Sequence, residues 1–213
     1  MASIDEHVQK YVYILLSKTS TMPSKIIRAY TREPYAHTSL ALDIELKDMY
    51  SFARKEINNP FDCGFIYEDI EAGIFGRDVD TMCSVYALPV TDAQYVKISG
   101  IIDDFKANKD KYAYNYLGIV GVVLNKSLEP NNKYFCSQFV DHVLVNSGIQ
   151  LFEKEEGLVS PRDFKDALRE RRIYRGLLTQ YRSYLETVDI EDVEGLLLEA
   201  AATADTDTLI AED

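Results

Sequence analysis

Along the 213 residues, apolar positions recur with two rhythms, one of period two and one near 3.6. Alternating runs predict strands over residues 11–18, 36–42, 49–53, 82–90 and 173–178, with a further short strand at 65–67. The polar DIELKD between the second and third runs reads as a hairpin turn centred near Glu45. Helical spacing predicts four helices. Ser24 caps one over 24–30, and Thr91 with Gln94 forms a capping-box signature for one over 92–107. Phe135, Phe139, Val143 and Leu144 share a face in 134–148, where Gly148 marks a stop, and Ser160-Pro161 opens a helix that runs to about Arg169. Residues 112–124, YAYNYLGIVGVVL, form the most apolar stretch; it is too short to span a bilayer and is expected in the core. Residues 55–80 mix turn signals such as NNP and EAGIFG with short apolar runs and read as an irregular connection.

This order of elements predicts an α+β domain over residues 1–183, large enough for a full core. Residues 184–213 follow as an acidic tail, its first half an amphipathic helix with Ile190, Val193, Leu196 and Leu197, its end disordered. The net charge of −12 belongs to that tail: it holds ten acids and no Lys or Arg, leaving 25 acids against 23 bases in the body. A nearly neutral body has no electrostatic footprint for nucleic acid or an anionic membrane, so neither is an expected partner; a protein partner for the tail is. The N-terminal MASIDEHVQKYVYILLSK has early acids and only a six-residue apolar run, which fits neither a signal peptide nor a membrane span. Three cysteines without a CxxC pair fit a reducing, cytoplasmic setting.

Candidate chemistry centres on Cys136, in the opening turn of the 134–148 helix. Unpaired N–H groups there carry partial positive charge, which favours thiolates in general and suits a nucleophile; the plain alternative is a small core residue. Of the three histidines, His7 lies near the terminus, and His142 follows the cysteine by about 600° of helix rotation and about 9 Å of rise, out of reach of the thiol. His37, on the alternating run YAHTSLALD, is left as the base. No HExxH, clustered Cys/His or EF-hand spacing occurs, so neither a metal nor a cofactor is expected, and GIFG lacks the Lys and Ser/Thr of a phosphate loop.

AHTSLALD followed by YSFARK and then YFCSQFVDHVL, with a YNxxG stretch before the cysteine block, resembles the permuted NlpC/P60 group of papain-like proteins, the YiiX-like branch. The likeness covers about residues 10–175. It implies a papain-like fold in circularly permuted order, with an antiparallel sheet packed against the helix that bears the cysteine. It further implies Cys136 as nucleophile, His37 as base, and acyl transfer on a peptide, amide or lipid-ester substrate. The third polar residue of such sites, which orients the imidazole from the neighbouring strand, falls at Ser51. Asp43 and Asp48 are charged alternatives in the turn, and Gln138 is expected to point away from the reacting groups.

Overall fold

The computed structural model describes residues 10–18, 34–56, 59, 62–188 and 195. Within them lie eight strands: β1 Lys10–Ser17, β2 His37–Ala41, β3 Met49–Arg54, β4 Cys63–Glu68, β5 Met82–Val90, β6 Ala113–Tyr114, β7 Lys133–Tyr134 and β8 Arg172–Leu177. Six α-helices accompany them: α1 Gly73–Arg77, α2 Asp92–Ala107, α3 Tyr116–Leu124, α4 Cys136–Asn146, α5 Pro161–Ala167 and α6 Tyr181–Thr187. The fold is α+β. The expected helix at 24–30 and the tail helix beginning at Asp189 lie outside the described residues.

Six strands form one antiparallel sheet in the order β4-β3-β2-β1-β5-β8, while β6 and β7 make a short parallel pair. Alternation along β1 explains why the sheet has two buried faces. Val12, Ile14 and Leu16 turn to a core shared with Ile98, Ile102 and Phe105 of α2 and Phe139, Val140 and Val143 of α4. Tyr13 and Leu15 turn to a second core with Met49, Phe75, Val85 and Tyr181. A central strand covered on both sides has to be apolar throughout, which is why its alternation is weak.

Local signals set several boundaries. Thr91 and Gln94 close the predicted capping box on α2, the Thr91 amide donating to Gln94 Oε1 (2.9 Å) and the Gln94 amide to Thr91 Oγ1 (3.2 Å). Gly148, at φ +81°, ends α4, with the Ile149 amide returning to Leu144 O (2.9 Å). Residues 55–80 are more regular than expected: besides α1, they contain β4, whose six residues pair in full with β3. The 112–124 stretch is only half core. Ile119 is buried, but Leu117, Val120 and Leu124 of α3 are 62%, 50% and 68% exposed.

Aromatic rings join the sheet to the helices. Phe52 of β3, fully buried, meets Phe65, Phe105, Tyr112, Tyr134 and Phe139 at centroid distances of 5.3–6.4 Å. Edge-on and tilted pairs of this kind add to area burial. Phe52→Ala is expected to cost about 3–5 kcal/mol, read as a lower urea midpoint at unchanged slope; a loss below about 1 kcal/mol would mean this cluster does not hold α2 and α4 on the sheet.

Candidate active site

Cys136 is the first residue of α4, and His37 the first of β2. The helix packs across β2 and β3, and this brings the sulfur up to the imidazole. The Cys136 sulfur lies close enough to the ring to favour its charged form. Both side chains are buried, at 1% and 6% exposure. Catalytic contacts are often loose before substrate binds.

The far side of the ring meets Glu68 rather than Ser51. His37 Nε2–H donates to Glu68 Oε1 at 2.8 Å, and Ser39 Oγ–H donates to Glu68 Oε2 at 2.5 Å. The reason lies in the ladder: β2 and β3 pair only at Leu40↔Tyr50 and Ala41↔Met49, so pairing stops before it reaches His37. Ser51 is buried beside Glu68 and its Oγ completes no hydrogen bond, so Ser51 is not the residue that bonds the imidazole. Asp43 and Asp48 stay in the turn, Asp43 accepting from the Lys47 and Asp48 amides (3.1 and 2.6 Å) and Asp48 from the Tyr50 hydroxyl. Because Nε2 is committed to Glu68, Nδ1 is the nitrogen left to take a proton from the thiol.

The electrostatics follow from that chain. Burial is the largest influence on the His37 ring and favours the neutral form. The Glu68 charge, the Cys136 sulfur and the hydrogen bond to Glu68 outweigh it and push the ring up to about 10. Burial likewise weighs most on Glu68 and would raise it; His37, with Ser39 and Ser51, holds the carboxylate below its ordinary value. Phe75 covers the ring from the second core, its centroid 6.3 Å away.

The YNxxG stretch now has a structural account. Asn115 caps α3, its Oδ1 accepting from the Gly118 amide (2.8 Å), while its Nδ2 donates to Leu128 O (2.8 Å) and Gln138 Oε1 (3.2 Å). A Cβ at Gly118 would lie 2.3 Å from Asn115 Nδ2 and 2.9 Å from the Phe135 ring, so only glycine lets α3 sit this close to the cysteine helix. Gln138 is occupied here, its Oε1 also accepting from the Phe135 amide (3.4 Å). Tyr114, just before the cap, lies near both Cys136 and Cys63; burial first, then those sulfurs, raises its pKa, so it stays a proton donor.

Elsewhere, His142 is held by Glu156 (3.0 Å) and stacks on Tyr134, in keeping with its expected distance from the thiol. Burial pushes Cys83 up to about 12 and also raises Cys63. Among the described residues no three His, Cys, Asp or Glu gather as metal ligands would, and no helix is long and apolar enough to cross a membrane. Neither protein-family models nor curated proteins give a match to the chain.

The buried pair sets a pH window for stability. Glu68, lowered from 4.5, stabilises the fold above that pH, and its contribution is lost as pH falls through the lowered value. His37, raised from 6.5 to about 10, contributes fully below 6.5, and the contribution is lost as pH rises through about 10. Thermal melts of the wild type should therefore fall between pH 6.5 and 10, and Glu68→Gln should flatten that slope; parallel curves would show that the pair is not coupled.

Proposed function

We propose that this chain is a thiol-dependent hydrolase that works by acyl transfer on an amide or ester bond, on a permuted NlpC/P60-like papain fold. The observation that carries the reading is the buried Cys136–His37–Glu68 chain: sulfur, imidazole and carboxylate from three separate elements in one place. His37, charged at neutral pH, already carries the proton given up by the thiol, and the sulfur attacks the carbonyl carbon. The oxyanion is met by amides at the start of α4, where the first intrahelical bond runs from Phe139 N to Phe135 O and leaves the three preceding amides without a helical partner. Tyr114, kept protonated by burial near Cys136, is the candidate side-chain donor to the same oxygen. His37 then protonates the leaving amine or alkoxide, water attacks the thioester with His37 as base, and the acid is released with the thiol restored.

A lipid-ester substrate is the second reading, favoured by α3. Its exposed Leu117, Val120 and Leu124 begin three residues after Tyr114 and form an apolar surface on that helix. Faster cleavage of an ester in mixed micelles than of its short-chain soluble analogue supports this reading; equal rates oppose it.

The main reading is tested with a panel of chromogenic acyl esters and amides. Cys136→Ala and His37→Ala should lower kcat/KM by about 10³-fold or more, and Glu68→Gln and Tyr114→Phe by about 10²-fold. Ser51→Ala should stay within about threefold, since it orients nothing. Mild alkylation provides a readout independent of substrate: Cys136 should react at least about tenfold faster than Cys63 and Cys83. Equal, slow labelling of all three cysteines, with no turnover of any acyl compound, would identify a binding module on the same fold.

A further inference from the structure

Strand β4 is the outer strand of the sheet, bonded to β3 on one side only. Which of its main-chain groups face outward follows from the register. Lys55 N donates to Asp62 O (2.8 Å) at the end of the β3–β4 ladder, so 55 and 62 are a hydrogen-bonded pair. Alternation makes Ala53↔Gly64, Ser51↔Ile66 and Met49↔Glu68 the others. The far side of β3 agrees: Leu42 N donates to Asp48 O (3.0 Å), which turns Tyr50, two residues on, toward β2. The N–H and C=O of Phe65 and Tyr67 therefore point away from β3, and among the described residues nothing bonds them.

These groups open on a cleft of about 850 Å³. Its walls carry Arg54, Lys55, Lys106 and Lys109 against Glu68, Asp69 and Asp110, with Glu68 paired to His37, Lys55 to Asp62 (3.8 Å) and Lys106 to Asp103 (3.2 Å). An unpaired edge of CGFIYE, with no proline or lysine to blunt it, invites another strand, and this one sits in a locally basic groove.

The chain has a segment of matching chemistry. After Val188 come 25 residues with nine acids and no Lys, Arg or His. Within them, ADTDTLI at 204–210 alternates Asp205, Asp207 and Leu209 with Thr206, Thr208 and Ile210, a strand pattern with two carboxylates on one face. The departure point is also suitable. Arg182 of α6 bonds Glu71 (2.5 Å) and Glu45 O (3.2 Å), and Glu71 leads into the Ala72–Phe75 segment that walls the cleft. Sixteen residues lie between Val188 and Asp205, enough to span roughly 55 Å, while a six-residue strand is about 20 Å long.

We propose that residues 204–210 of this chain add to the outer edge of β4 as a seventh strand, guided by Lys106 and Lys109. Main-chain bonds to Phe65 and Tyr67 give the docking its register, and the carboxylates of Asp205 and Asp207 select the basic side. Nothing in this requires Cys136 to react, so it stands or falls apart from the acyl-transfer reading.

Hydrogen exchange on the full-length chain tests it. In the wild type the amides of Phe65, Tyr67 and 204–210 should be protected together, about tenfold or more above Asp205→Lys/Asp207→Lys. Tyr67→Pro removes an outward N–H, which edge strands tolerate, and should release 204–210 while β1 stays protected; Tyr67→Ala, which loses the same ring contact with Tyr50 and the same bond to Lys47 O but keeps the N–H, should not. Lys106→Glu/Lys109→Glu should do the same, and combining it with the two Asp→Lys changes should restore protection. Free-peptide exchange rates for 204–210 in the wild type would overturn the proposal. So would protection indifferent to the charge swaps, or protection that grows with protein concentration and so belongs to a second copy.

Discussion

A buried charge pair makes the strongest demand on this structure. His37 and Glu68 sit at 6% and 7% exposure, and ions out of water cost several kcal/mol each unless geometry and further hydrogen bonds offset it. Here Ser39 donates to the second carboxylate oxygen, and the Cys136 sulfur lies close to the ring. The groups depend on one another: the carboxylate holds the ring charged, the ring lowers the carboxylate, and the helix that carries the sulfur packs over the strand that carries the ring.

That demand organises the elements around it. β2 brings the imidazole, β4 the carboxylate and α4 the thiol. These elements are fixed by the aromatic cluster around Phe52 and by the Asn115 bridge between α3 and α4, not by contacts within the site itself. Asn115 and Gly118 bring α3 against the start of α4, and Tyr114, just before that cap, comes near the sulfur with it.

Much of this was legible from residues alone. The capping box at Thr91, the Ser160-Pro161 start and the alternation of 82–90 place α2, α5 and β5 because each signal is local. Cys136 and His37 could be singled out because helix geometry excludes His142 and His7 lies near the terminus. Glu68 could not, since 55–80 looked irregular and its strand pairs through β3, a non-local fact. One signal was available: reading 63–68 as pairing with 49–54 would have put a carboxylate on an otherwise apolar strand end and raised the question of its partner. Ser51 lines up with the imidazole only if the β2–β3 ladder continues to His37, whereas it ends at Leu40. The exposed side of α3 was missed because a continuous apolar run gives no period from which to tell an inner face from an outer one.

Nitrogen NMR of histidine-labelled protein reports most directly on whether thiol, imidazole and Glu68 form one chain. With the His37 signals assigned through a His37→Asn variant, the ring should stay doubly protonated through neutral pH and titrate near 10, dropping when Glu68 is changed to Gln. A His37 ring that titrates near its ordinary 6.5 and ignores both Glu68 and Cys136 would contradict the account.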